Sequence, residues 1–237
     1  MRRSILITGC SSGIGFDSAL KFQQRGWQVI ASCRNAEDAK FLKNTYGLDI
    51  VCIDYEKPAT IENGFKEALA LTEGRLDVLF NNGAYAILAA VEDVPTDALR
   101  AIFEANFFGW HTLTRLALPV MFAQKSGRIV QNSSVLGFAA MRFRGAYVAS
   151  KFALEGLTDT LRLELDGSGV HAILIEPGPI RTKIRENAFL QFNKWINWQE
   201  ARQKSTYQNK LIPRLSMENP GKDLFELPAA SVSEAVW

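Results

Sequence analysis

The sequence predicts a doubly wound α/β fold, a parallel sheet covered by helices on both faces in three αβα layers. Two observations carry that expectation. Short, β-branched, continuously apolar runs alternate with longer segments of helical periodicity along most of the 237 residues. Strands that are apolar on both faces belong to parallel sheets, and right-handed crossovers between them wind the sheet twice. A hydrophobic content of 47% suffices for one large core, and no repeat or low-complexity linker divides the chain. A single domain over 1–237 is therefore expected.

The strands are expected in SILITG (4–9), WQVIASC (27–33), DIVCID (49–54), LDVLFNN (76–82), GRIVQNSS (127–134) and VHAILIEPG (170–178). Helical patterns fall between them over 13–26, 35–47, 60–74, 97–124 and 147–167, often ending in glycine. The opening MRRSILITGC starts like a signal peptide. Its apolar run is too short, and glycines and serines follow at once, so it reads as the first strand. No stretch is long and apolar enough to span a membrane. A net charge of +2 and the lack of a long basic run argue against nucleic-acid binding. The cysteines Cys10, Cys33 and Cys52 have no paired spacing. A disulfide framework or zinc site is not expected, and a reducing cytoplasm is the default location.

TGCSSGIG, from Thr8 to Gly15, joins the first strand to the first helix and admits more than one reading. Gly9-Cys10-Ser11-Ser12-Gly13 fits the G-x-S-x-G elbow of serine hydrolases. Gly9, Gly13 and Gly15 also make a glycine-rich turn whose amides open toward a phosphate at the positive end of a helix. The hydrolase needs a histidine on a loop after the serine. His111 lies in a helical pattern and His171 opens a strand. The nucleotide reading is favoured, and a glycine-rich connection without a ligand stays open. With two histidines and scattered cysteines, no metal set is offered.

Further elements follow in order: Asp54 after the third strand, Asn81-Asn82-Gly83-Ala84, Asn106, Ser134, Tyr147-x-x-x-Lys151 and PGPIRT at 177–182. With Thr8-Gly-x-x-x-Gly-Ile-Gly15 they resemble the short-chain dehydrogenase/reductase family over residues 4 to 182. The family usually shows Asn-Asn-Ala-Gly where this chain has Asn-Asn-Gly-Ala. NNGAYAILAAVEDVP is similar to the 17-beta-hydroxysteroid/retinol dehydrogenase-like branch. The resemblance implies a Rossmann fold and hydride transfer between a nicotinamide cofactor and a carbonyl or secondary alcohol. A catalytically inactive, nucleotide-sensing protein is a further alternative.

In that chemistry one proton must move, and Tyr147 is the expected donor and acceptor. A free tyrosine titrates at about 10, and a nearby cation favours phenolate. Lys151 lies one helical turn on, on the same face, so its charge is expected to lower Tyr147. By resemblance Lys151 also binds the nicotinamide ribose. Ser134, thirteen residues before Tyr147, is expected to hold the substrate oxygen, with Ser133 as its neighbour on the opposite side of the strand. Asn106 sits inside the long fourth helix, where a local distortion is expected. By resemblance it holds a proton-relaying water.

The cofactor-binding set expected from the resemblance is Thr8, Gly9, Ser11, Ser12, Gly13, Ile14, Gly15, Arg34, Asp54, Asn82, Gly83, Tyr147, Lys151, Pro177, Gly178 and Thr182. Cys33 stands where an acid ending the second strand would bind the adenosine ribose, and Arg34 follows. A missing acid beside a guanidinium suits a 2′-phosphate, so NADP(H) is expected over NAD(H). Residues 183–215 are expected to form a substrate lid. Phe189, Phe192, Trp195 and Trp198 recur at three- or four-residue steps, as either a core-facing helix or the lining of an apolar pocket. An apolar ketone or aldehyde is the expected substrate. The family pattern runs through a last helix into a seventh strand, whereas this sequence stops at SVSEAVW. Six strands with the usual seventh missing are expected, with a homodimer possible through the helices around 98–124 and 147–165.

Overall fold

The computed structural model describes residues 2–216 and 225–237. Six parallel strands form the sheet: β1 (Ser4–Ile7), β2 (Gln28–Cys33), β3 (Asp49–Cys52), β4 (Val78–Asn81), β5 (Gly127–Asn132) and β6 (Val170–Ile175). Their order is β3-β2-β1-β4-β5-β6. The direction of winding reverses between β1 and β4, which leaves a crevice at their C-terminal ends. Ligands of open α/β sheets bind in such a crevice, and every site residue discussed below lies around it.

Successive strand residues face opposite layers. Leu6, Ile30, Val51, Leu79 and Ile129 share a core with α3 (Pro58–Leu71), α5 (Gly109–Gln124) and α6 (Gly145–Glu164). Ile5, Ile7, Val29, Ala31, Phe80 and Val130 share the other with α1 (Gly13–Gln24) and α2 (Ala36–Tyr46). The three-layer Rossmann architecture expected from the alternation is therefore present.

The long fourth helix is divided. Helix α4 (Thr96–Phe103) passes through a π-helical turn at Glu104–Phe108 into α5. The distortion expected at Asn106 is this turn. A π-turn widens the helix and projects one residue out of register. Here it aims Asn106, fully buried, at the backbone of the neighbouring loop.

After β6 the chain makes a two-residue strand β7 (Ile180–Arg181), then α7 (Ile184–Trp195), α8 (Lys204–Thr206), a second π-turn (Tyr207–Leu211) and α9 (Ile212–Leu215). Ala188, Phe192, Ile196, Tyr207, Leu211 and Leu215 close a third apolar cluster over Ala86–Ala90 and Tyr147. Tyr207 ties it down, accepting from Ala90 N at 2.8 Å and donating to Asp93. Strand β8 (Leu227–Pro228) pairs in parallel with β7, and α10 (Ala229–Val236) follows. SVSEAV is thus part of a helix that lies on α1. Glu234 bridges Lys21 at 2.7 Å and Arg25 at 2.9 Å, and Trp237 packs edge-on against Phe22. Among the described residues the sheet has no seventh strand, so β6 is its edge.

Candidate active site

The β1 turn is built by glycine. Gly9 has φ +68°, and a Cβ there would lie 2.6 Å from Gly83 Cα. Only glycine permits both the left-handed backbone and that approach of two loops across the crevice. Thr8 locks the approach: its hydroxyl oxygen accepts from Asn82 N at 2.8 Å and Gly83 N at 3.2 Å. Asn82 Nδ2 donates back to Thr8 O at 2.9 Å. Gly15 lies behind the turn. A Cβ there would meet Gly9 O at 2.4 Å, so it lets the turn sit down on α1 and lines no part of the cavity.

From this turn a cavity of about 510 Å³ runs to the start of α6. Thr8, Gly9, Ser11, Ser12, Gly13 and Ile14 line one end, with Arg34 and Asp54 beside them. Asn82, Gly83, Pro177, Gly178 and Thr182 line the middle, with Ser134, Tyr147 and Lys151. Of the expected site residues, Gly15 and Asn106 alone lie off its wall.

Helix α6 buries Ala146, Tyr147, Ser150, Lys151, Leu154 and Thr158, one continuous stripe at helical spacing. Tyr147 and Lys151 therefore point into the same crevice. Lys151 is 1% exposed; its Nζ donates to Asn132 O at 2.7 Å and lies 4.4 Å from the centre of the Trp110 ring. Burial pushes Lys151 down to about 7, and the Glu155 carboxylate one turn on opposes that. Burial pushes Tyr147 up to about 12, with the Ser134 hydroxyl acting in the other direction.

The expected lowering of Tyr147 by Lys151 is therefore not found. The ammonium is itself stripped of water, which disfavours its charge, and it is aimed at Asn132 O rather than at the phenol. Burial favours the neutral phenol of Tyr147, the form that can give up a proton. Ser134 ends β5 in extended backbone, accepts from Leu136 N at 3.1 Å and turns its hydroxyl toward Pro177 O at 3.5 Å. Ser133 also reaches the cavity wall, but its oxygen lies near Gly137, within 2.9 Å of where a Cβ there would sit.

Asn106 lies behind the cavity wall. Its Oδ1 accepts from Tyr85 N at 3.1 Å, and its Nδ2 donates to Tyr85 O at 2.9 Å and Ser150 Oγ at 3.2 Å. Both amide protons are used, which leaves acceptor oxygens as its free hydrogen-bonding groups. It fixes the Tyr85 loop against α6. The aromatics of α7, with Trp198 after it, take the core-facing one of their two expected places. Phe192 is core, and Phe189, Trp195 and Trp198 pack on that same cluster. The cavity is lined instead by Ile184, Asn187, Ala188, Leu190 and Gln191 of the same helix.

Three residues of the site went unread in the sequence. Trp110 lies under Lys151 and donates to Gly83 O at 2.9 Å. Asn132 supplies the lysine's acceptor and donates to Asn82 Oδ1 at 2.8 Å. The Tyr55 hydroxyl lies 2.8 Å from both Thr8 Oγ1 and Asn81 Oδ1. Trp110 follows Asn106 by one helical turn, the one signal that pointed to it.

The hydrolase elbow has no base. His111 and His171 are exposed on α5 and β6, and neither lines the cavity beside Ser11. Among the described residues no three His, Cys, Asp or Glu side chains could hold a metal ion. No described helix is long and apolar enough to cross a membrane.

Comparison with known proteins agrees with this geometry. The family model described as short chain dehydrogenase matches residues 3–192. The uncharacterized oxidoreductase YbbO of Escherichia coli (strain K12) is 44% identical over 187 residues, 79% of this chain and 69% of that protein. Retinol dehydrogenase 8 of Homo sapiens is 32% identical over 198 residues, 80% of this chain and 62% of that protein. The crystal structure of a short-chain dehydrogenase from Streptomyces avermitilis superposes with a TM-score of 0.81 at 27% identity, over 99% of this chain and 82% of that one. The chain belongs to the short chain dehydrogenase family of oxidoreductases.

Proposed function

We propose that this protein reduces an apolar ketone or aldehyde, or oxidises the matching alcohol, with NADP(H). The observation that carries the reading is one cavity in which Ser134, Tyr147 and Lys151 meet a glycine turn at the sheet's switch point. The residues fit a dinucleotide. Gly9 and Gly83 keep the crevice floor free of side chains, and the first amides of α1 open onto it. Thr8 to Ile14 would hold the pyrophosphate and Arg34 the 2′-phosphate. Asp54 would hold the adenine, with Asn82, Gly83, Pro177, Gly178 and Thr182 around the nicotinamide. Bound there, the nicotinamide supplies or accepts the hydride.

The chain's own residues do the rest. The Ser134 hydroxyl holds the carbonyl oxygen. Tyr147 gives that oxygen its proton in reduction and takes it back in oxidation. Lys151, one helical turn from Tyr147 on the same buried stripe, would bind the ribose. Trp110 and the Asn132 carbonyl keep its ammonium in place. Residues 183–215 act as the substrate lid of a single domain, with Ile184, Ala188 and Leu190 giving it an apolar wall. The name of one relative, retinol dehydrogenase 8, points to a lipophilic alcohol. Three free cysteines fit a cytoplasmic, reducing compartment.

The NADP(H) preference rests on Cys33 and Arg34 lining the cavity where β2 ends without an acid. NADPH oxidation against a panel of aliphatic and alicyclic carbonyls tests the reading. Tyr147→Phe is expected to lower kcat by about 10²–10⁴-fold. Unchanged turnover in that variant would remove the proton donor. Arg34→Asp is expected to weaken NADPH binding by roughly tenfold or more and to spare NADH. Equal loss for both cofactors would withdraw the phosphate assignment.

A further inference from the structure

The substrate end of the cavity carries a feature that carbonyl chemistry alone does not use. Arg144 caps α6 three residues before Tyr147, Arg185 belongs to α7, Arg214 belongs to α9, and all three line the cavity. The acids on the wall, Asp54 and Glu56, both sit in the turn after β3, at the other end. Arg185 reaches Glu226 at 3.6 Å. The Arg144 side chain is half-buried and makes no hydrogen bond or ion pair among the described residues, although it has five N–H donors.

Its surroundings make that costly. Burial, with the Arg214 and Arg185 guanidiniums beside it, pulls Arg144 down to about 10. A guanidinium gathered with like charges at a partly dry wall is stabilised by an anion that reaches it. Leu88, Val135, Leu136, Met141, Ile184 and Leu190 line the same cavity, so that anion would be attached to an apolar body. The pyrophosphate is not this anion. Its expected cradle is the Thr8–Ile14 turn, whereas Arg144 adjoins Gly145, whose Cβ position lies 2.6 Å from the Val91 side chain.

We propose that the substrate is an amphiphilic oxo-acid, whose carboxylate is held by Arg144 within this arginine cluster while its carbonyl meets Ser134 and Tyr147. The proposal rests on the oxidoreductase reading for the carbonyl end and on the cluster alone for the carboxylate. Arginine suits a carboxylate because its fork donates two parallel hydrogen bonds.

The test has two arms. In the first, laurate and dodecanol are titrated into the NADP⁺-saturated protein and followed by tryptophan fluorescence. Laurate is expected to bind at least about tenfold more tightly, the range of a charge-assisted hydrogen bond. Arg144→Gln is expected to erase that preference, and Arg144→Lys to keep part of it. Arg214→Gln, at an exposed position, reports on the same cluster without disturbing α6. Equal binding of acid and alcohol, a preference that survives Arg144→Gln, or laurate binding only when NADP⁺ is left out would overturn the proposal. In the second arm, NADPH oxidation is followed with 12-oxododecanoate and its methyl ester. Turnover favouring the acid, with the ratio collapsing in Arg144→Gln, supports the proposal. Laurate held through Arg144 without turnover of either substrate would refute the reductase reading and leave the carboxylate site standing.

Discussion

Replacing Lys151 by methionine is expected to stabilise the folded protein at pH 6 while abolishing its activity. The ammonium is 1% exposed, and burial carries it from 10.5 down to about 7. At about 1.4 kcal/mol per pH unit, keeping that charge in the fold costs on the order of 5 kcal/mol below pH 7. The pull of Asn132 O and the Trp110 face on the charge is already within that shift, and the variant leaves Asn132 O without its donor at about 1–3 kcal/mol. A net gain of about 2–4 kcal/mol is left. The sign follows from proton counting. Between pH 7 and 10.5 the unfolded chain holds the lysine proton and the folded chain does not, so wild-type stability rises with pH. The advantage of methionine should shrink by about 1.4 kcal/mol per unit across that window. Urea unfolding of both proteins at pH 6, 7.5 and 9 measures it, with NADPH oxidation alongside. A methionine variant no more stable at pH 6, or a difference indifferent to pH, would refute the reasoning.

Two further outcomes follow from geometry. Gly9→Ala should cost about 1–3 kcal/mol and weaken cofactor binding, because φ +68° and Gly83 Cα at 2.6 Å leave its Cβ no room. Thermal unfolding and a cofactor titration check it, and a neutral result would mean the two loops separate easily. Helices α5 and α6 expose Phe122, Phe152 and Leu163, and a homodimer through these helices is expected. Sedimentation of wild type against Phe152→Asp decides it, since a monomer in both proteins would end the idea.

What could be read from the sequence was whatever local spacing encodes. Strand and helix alternation gave the sheet and its layers, and one turn of helix put Tyr147 and Lys151 on one face, while the family resemblance marked them as a site. Ser134 followed from its distance to that turn. The π-turn at 104–108 was readable because a polar Asn106 fits badly inside an apolar helix. What Asn106 does was not readable, since its partner Tyr85 lies 21 residues away. Tyr55 with Thr8, 47 residues apart, escaped for the same reason. The α7 aromatics had the right period, yet period gives a face and not what the face meets. The sign of the Tyr147 shift also escaped, because spacing reports closeness to a cation and not the dryness of both groups.

The short pair β7–β8 joins parts of the molecule that look unrelated. Ile180 and Arg181 belong to the loop that brings Thr182 against Gly13, and they pair with Leu227 and Pro228. The next residue begins α10, which grips α1 through Glu234 and Ser233, and α1 starts at Gly13. The chain therefore closes a ring: glycine turn, α1, α10, β8, the 177–182 loop, and back to the glycine turn. The C-terminal segment works as a splint across the two jaws of the cofactor crevice. It sets how far they stand apart without contributing a residue to the cavity wall, so a bulky fusion at Trp237 would be felt as slack at Gly13.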